Sequence, residues 1–267
     1  MTTYIDADSS QGTWRLISEA GNFPLYNGRA NRGDVILRWG ANHSRYRGRY
    51  PAGVRVLNPI LVMSKLEQAH LFRQANVSMP TVYGSRAEWE RDGSPQVVIK
   101  PEVGQMGTGM RLLTRPGFDQ HHLFQRYIPK EREFRAMMVD NLIAFFMEKH
   151  PPANGDFRWN EHRGSEWSSV PNDRSLRQQV RVLGKAALDA LGYNFGAVDI
   201  IMHGRDLFVL EVNSRPEFGE TNAQRFVNAI NDYLERPVQS ARTTRPAPAQ
   251  AENRCPHCGQ IMPTTRR

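Results

Sequence analysis

Three oxygen-bearing side chains, Asp199, Glu211 and Asn213, lie within the run GAVDIIMHGRDLFVLEVNSRPEF (residues 196–218). Val198 to Met202 and Leu207 to Val212 are apolar and rich in β-branched residues. The tetrad His203-Gly204-Arg205-Asp206 between them turns readily, so the run reads as a hairpin. With a loop over Gly204 to Asp206, Asp199 falls opposite Glu211, and side-chain alternation puts Asn213 on the same face. Hard oxygen donors of this kind suit Mg²⁺, which keeps several waters and is completed by substrate phosphates. A sheet face turned to solvent would carry the same carboxylates, and the two strands alone leave both readings open.

A second segment offers the phosphates. In VVIKPEVGQMGTGMRLL (97–113), Gly104, Gly107 and Gly109 lie between two short strands, and Lys100 closes the first. Glycines let successive backbone N–H groups point into one concavity that accepts phosphate oxygens. No Lys-Ser or Lys-Thr follows and no helix is indicated, which excludes a Walker loop and the dinucleotide fingerprint. A turn that is merely rich in glycine accounts for the glycines equally well. Lys100 adds the chemical argument, because a lysine ending an apolar strand is costly to bury unless an anion meets it.

The elements that must hold these groups are short and interleaved. Residues 1 to 60 show one clear strand, Asp34 to Trp39. Ser64-Lys65-Leu66-Glu67 is a capping box that starts a helix reaching about Asn76, with Lys65 in its first turn. Further strands are expected at Val97 to Lys100, Met110 to Leu113, Leu123 to Ile128, Phe134 to Val139 and Leu142 to Glu148. Asp173 opens a helix with Leu176, Val180, Leu183, Ala187 and Leu191 on one face, and Gly192 closes it. A last helix runs from about Asn222 to Arg236. Several strand pairs are hairpins, so an α+β arrangement fits better than a doubly wound parallel sheet.

Taken together, these residues resemble the ATP-grasp superfamily, and within it the RimK-like carboxylate–amine ligases, over roughly residues 61 to 236. The resemblance implies an ATP-grasp fold, with two α+β lobes clasping ATP after a short N-terminal region. It implies boundaries at 1–60 for that region, 61–128 for the small lobe with its preceding helix, 129–237 for the large lobe and 238–267 for a flexible basic tail. Lys65 and Lys100 match the two phosphate-binding lysines, and Gly104 to Gly109 the loop that closes over the γ-phosphate. FQRYIP resembles the adenine hinge, Gln125 to Tyr127, although Arg126 stands where the family usually has an acid. Glu133 matches the ribose-binding acid, and GDFRWNEHRG (155–164) the signature that supplies Arg158 and Asn160 as nucleotide and acyl-phosphate contacts. Asp199, Glu211 and Asn213 match the Mg²⁺ ligands, with Mn²⁺ an alternative.

The implied reaction activates a carboxylate with ATP and passes the acyl group to an amine, the substrates being an amino acid and a peptide or protein carboxylate. Lys100, Arg158 and Arg215 are the catalytic candidates. Arg215 departs from the small residue common in the family, and either binds a substrate carboxylate or forms a salt bridge with Glu217 or Glu220. An ATP-grasp kinase is the enzymatic alternative, leaving a stable phosphorylated product where a ligase leaves an amide.

Composition bounds the rest. A mean hydropathy of -0.59 with 39% hydrophobic residues fits a soluble chain, and no run approaches the roughly 18 apolar residues of a membrane span. The opening MTTYIDADSSQGTWRL lacks a basic start and an apolar stretch, so a cytoplasmic location is expected. The net charge of +8 sits at the ends: residues 1–60 carry eight Arg against four acids, and residues 236–267 six Arg against one. Basic ends could meet nucleic acid or an acidic partner, which makes a binding or adaptor module the alternative from another class. The only cysteines, Cys255 and Cys258, form one C-x-x-C, too few ligands for a complete zinc site without a partner. Zinc and homo-oligomerisation are left open.

Overall fold

The computed structural model describes residues 1–7, 12–40, 49–60, 64–102, 108–119 and 121–236. Gly104, Gly107, Cys255 and Cys258 lie outside these residues. Met1–Leu234 form one compact unit and Glu235–Arg267 a second. Among the described residues, no helix is long and apolar enough to cross a membrane.

The first unit contains three sheets. The N-terminal sheet is parallel, with β1 (Thr3–Ala7), β2 (Val35–Trp39) and β3 (Arg55–Leu57) in that order, and α1 (Thr13–Gly21) makes the first crossover. The sequence pattern shows only β2 of these, because all five of its residues are buried. β1 reads Thr-Tyr-Ile-Asp-Ala, where the buried Asp6 accepts a hydrogen bond from Tyr50 at 2.6 Å and breaks the apolar pattern. α1 begins at Gly12 with no side-chain cap, so nothing in the sequence announces its start.

The second sheet has the order β4-β7-β5-β6, from β4 (Val82–Tyr83), β5 (Val97–Pro101), β6 (Arg111–Leu113) and β7 (His122–Arg126), all antiparallel. α2 (Lys65–Gln74) precedes it and carries the full capping box of Ser64 and Glu67. The six-residue α3 (Arg86–Arg91) was too short to read from periodicity. Gly109, at φ +75°, has Pro101 so near that an added Cβ would stand 3.1 Å from its Cγ, so glycine is needed where the chain enters β6.

The third sheet, β10-β9-β8-β11-β12, is antiparallel throughout. Its strands are β8 (Arg132–Val139), β9 (Leu142–Lys149), β10 (Trp167–Ser169), β11 (Phe195–His203) and β12 (Asp206–Asn213), and α4 (Arg174–Leu191) and α5 (Glu220–Glu235) complete the unit. Alternation sorts its side chains onto two faces. Phe134, Ala136, Met138, Val198 and Ile200 join α2 and α4 in one core cluster. Met137, Val139, Phe145, Phe195 and Ala197 join α5 and the N-terminal sheet in another. Continuing along that second face, alternation reaches Arg135, Glu133, Lys149 and Asp199. One surface is therefore packed core at one end and a charged constellation at the other.

The β11–β12 hairpin pairs Asp199 with Glu211, by a different route from the expected one. The turn holds only Gly204 and Arg205, with His203 paired to Asp206. The register then shifts between Asp199 and Ile200, which face Glu211 and Val209, so Leu210 is bulged out. The shorter turn and the bulge cancel, which restores the pairing.

Candidate active site

Asp199 stands between two strands, with Arg135 of β8 on one side and Glu211 of β12 on the other. The guanidinium of Arg135 donates to both Asp199 carboxylate oxygens, at 2.7 and 2.8 Å. Burial opposes the charges of both groups, but their mutual attraction holds Arg135 above the usual arginine range and Asp199 below the usual carboxylate range. Asn213 donates through Nδ2 to Asp199 Oδ2 and to Glu211 Oε1, each at 3.3 Å. The three residues read from the sequence therefore converge.

The first turn of α2 brings Lys65 to this group, with Nζ 3.2 Å from Glu211 Oε2. The sequence reading missed the clamp that fixes it. Gln68, buried on the same helix, donates to the Val212 carbonyl at 3.1 Å and accepts from the Val212 N–H at 2.9 Å. β12 is the last strand of its sheet, so its outward backbone groups need partners, which Gln68 supplies at Val212 and Ser78 at Leu207 and Val209.

Lys100 approaches from β5. It is 8% exposed, and among the described residues its ammonium makes no hydrogen bond or ion pair. Burial pushes its pKa down to about 8, with the charge of Glu211 drawing it up and that of Lys65 pressing it further down. An unpaired buried ammonium beside a lysine and a carboxylate is a seat for an added anion.

Glu133 is held differently from the ribose contact that the resemblance implies. It is 5% exposed, and its carboxylate is shared by Lys149, at 2.6 Å, and Lys130. Lys149 is its cross-strand partner, so this pairing follows from the β8–β9 register. Each oxygen thus accepts from one ammonium, and a ribose hydroxyl would have to share this carboxylate with both lysines. Burial, partly offset by Glu133, lowers the pKa of Lys130, and the ammonium also lies 4.5 Å from the Trp159 ring centroid. Trp167 carries Lys149 at 4.6 Å and Arg135 at 5.1 Å. Lys130, Arg135, Lys149 and the two tryptophans were not singled out from the sequence, although the alternation of Glu133 and Arg135 with apolar neighbours was a readable signal.

At the hinge, the N–H groups of Arg126 and Tyr127 donate to the carbonyls of Thr81, at 2.7 Å, and Gln96, at 2.8 Å, so both are used within the protein. The Arg126 side chain pairs with Asp92 at 3.2 Å, and the buried Gln125 reaches the Pro80 carbonyl at 3.5 Å. The Tyr127 ring meets Phe157 edge-on at 6.3 Å, which joins the hinge to the signature loop. There Arg158 is locked onto Asp156 through Nε at 2.9 Å and Nη2 at 2.7 Å, and Arg163 adds a contact at 3.1 Å. The Arg158 hydrogen bonds are the main reason that the Asp156 carboxyl stays below its usual range. The Asn160 carbonyl accepts from the N–H of Arg163 and Ser165. Arg158 thus belongs to a cluster with Asp156 and Arg163, and the Asn160 N–H donates to the Arg158 carbonyl at 3.1 Å.

The residues suit a hard divalent cation. Asp199 and Glu211 offer carboxylate oxygens on one face, and Asn213 would add its amide oxygen on turning away the Nδ2 that now donates to both carboxylates. Arg135 and Lys65 now occupy carboxylate oxygens there, so a cation would share or replace those contacts.

Residues 94–235 match the model of the RimK-like ATP-grasp domain. The chain belongs to the RimK-like ATP-grasp family. A protein named probable alpha-L-glutamate ligase 1, from Shewanella sp. (strain W3-18-1), is 27% identical over 204 residues, covering 68% of this chain and 66% of that one. This chain thus spans just under two thirds of that relative's length. Solved structures show the ATP-grasp fold. ATP-grasp ligase PsnB, complexed with minimal precursor, Mg and ADP, aligns with a TM-score of 0.64 and 12% identity over 87% of this chain and 97% of that one. The RimK domain protein ATP-grasp from Sphaerobacter thermophilus DSM 20745 aligns with a TM-score of 0.56 and 14% identity over 86% and 99%. The family and the α+β ATP-grasp fold are those that the sequence motifs implied.

Proposed function

We propose that this chain is an ATP-dependent carboxylate–amine ligase, forming an amide through an acyl phosphate. The observation that carries this reading is Lys100, a buried ammonium with no partner among the described residues, within the electrostatic reach of Glu211 and Lys65. A triphosphate supplies the missing anion.

A carboxylate does not acylate an amine unaided, because its leaving group would be an oxide. Attack of a carboxylate oxygen on the γ-phosphorus of ATP releases ADP and leaves an acyl phosphate. Attack of the amine on its carbonyl carbon then forms the amide, releasing inorganic phosphate and a proton. Charge neutralisation and in-line placement matter most in the first step. Lys65 and Lys100 hold the α- and β-phosphates, and Arg158, through the N–H groups that Asp156 does not use, stabilises the transferring group and then the acyl phosphate. Gln125, Arg126, Tyr127 and Asn160 line the nucleotide, and the loop from Gly104 to Gly109 excludes the water whose attack would waste the intermediate. Asp199, Glu211 and Asn213 would hold Mg²⁺, which would supply positive charge to offset that of the phosphates.

The name of the Shewanella relative points to L-glutamate as an amino-acid substrate, and the PsnB complex to a peptide as its counterpart. ADP release, screened against amino acids paired with carboxyl-terminated peptides and followed by mass spectrometry, tests the proposal. An amide and free phosphate support it. A stable phosphorylated product would make the protein a kinase, and no ADP release with any pair would remove the ligase reading.

A further inference from the structure

Arg215 is the other cation of this region with no anion of its own. It follows Asn213 by two residues, a backbone span of at most about 7 Å. Among the described residues it makes no hydrogen bond or ion pair, so the expected alternative of a bridge to Glu217 or Glu220 is not the one adopted. Its aliphatic stem is nevertheless placed closely. A Cβ added to Gly40 would stand 2.6 Å from Arg215 Cδ, 3.0 Å from its Cβ and 3.2 Å from its Cγ. Gly40 also has φ +76°, in the left-handed region that glycine adopts without penalty. It follows Trp39, the last residue of β2, whose ring stacks on Phe195 at 5.8 Å and meets Phe218 and Phe226 edge-on. The carboxyl end of the N-terminal sheet thus seats the arginine stem, while its guanidinium makes no hydrogen bond or ion pair among the described residues.

Arg135 and Arg158 are already committed to carboxylates in bidentate geometry. Arg215 can offer the same geometry to a ligand. It is poorly suited to the carboxylate that reacts, since gripping both oxygens would occupy the one that must attack phosphorus. A carboxylate that survives both steps is the fitting partner.

Resting on the ligase reading, we propose that Arg215, positioned by Gly40, binds the α-carboxylate of the amine substrate, which is therefore an α-amino acid rather than a simple amine. Gly40 is a positioning residue in this scheme and Arg215 the binding residue.

Calorimetric titration in the presence of Mg²⁺ and ADP tests this without turnover, so its failure and a failed ADP-release screen are separate results. The probes are L-glutamate, L-aspartate, L-alanine and L-lysine, each against its α-carboxamide. The native protein should bind at least one acid about tenfold or more tightly than its amide, the scale of one charge-assisted pair. Arg215→Ala should abolish that preference with ADP affinity unchanged, and Arg215→Lys should retain part of it. Gly40→Ala should weaken acid binding in the native background and add nothing on top of Arg215→Ala, as expected when one residue acts through the other. No preference in the native protein, or a preference that survives Arg215→Ala, overturns the proposal. An equal effect of Gly40→Ala in both backgrounds overturns the role of Gly40.

Discussion

Arg135, Lys130 and Lys149 each meet a carboxylate, whereas Lys100 and Arg215 meet none among the described residues. Register places acids beside Arg135 on β8 and Lys149 on β9, both of which also lie on Trp167, and Lys130 meets Glu133 three residues along the chain. The unpaired pair arrives from outside that face, Lys100 from β5 and Arg215 from the chain beyond β12. Burial without a partner is costly, so it persists where something other than stability maintains it. The paired group reads as framework and the unpaired group as binding capacity.

That contrast can be broken most forcefully at Arg135. Arg135→Ala leaves Asp199 buried without its counter-ion and should cost about 3–5 kcal/mol of stability, read by urea denaturation. A loss below about 1 kcal/mol would return the pair to ordinary surface ion pairs. Lys100→Ala should do the opposite, keeping the fold while lowering ADP release by about 10²–10³-fold. Normal ADP release by the folded variant would remove Lys100 from phosphate binding. Gln68→Ala strands the Val212 N–H and carbonyl and should cost about 1–3 kcal/mol, with a raised KM for ATP because Lys65 loses its anchor. An unchanged melting temperature and KM would show that the clamp is dispensable.

A further test separates the two groups by pH. Burial lowers the pKa of Lys100 to about 8 from an unfolded value of 10.5. Between those values the unfolded chain binds the extra proton, so this residue's contribution to ligand-free stability should rise with pH across that window. ATP affinity should fall over the same range, since the neutral amine no longer attracts phosphate. Titration from pH 7 to 10 should show the two trends with opposite signs, and the affinity trend should vanish in Lys100→Arg. Parallel trends would contradict the assignment.

Much of the site was legible because it rests on local patterns. The capping box located Lys65, and the two apolar runs located the Asp199–Glu211 pairing. What stayed hidden depends on contacts distant in sequence. Arg135 as the partner of Asp199 requires the β8–β11 register, and Gln68 as the clamp of β12 requires the packing of α2 on a strand 144 residues away. The N-terminal elements were missed for a different reason. β1 carries a buried Asp, α1 lacks a side-chain cap, and β3 has three residues, so none has the run or punctuation that pattern reading needs.

Val209 and Val212 both belong to the layer beneath α4, although strict alternation would send residues three apart to opposite sides. Leu210 is what reconciles them. Were it instead taken into the ladder, either those valines or Glu211 and Asn213 would have to exchange environments, and two hydrophilic groups would be driven into oil. A leucine with no polar atom in its side chain therefore sets the parity on which the oxygen donors depend.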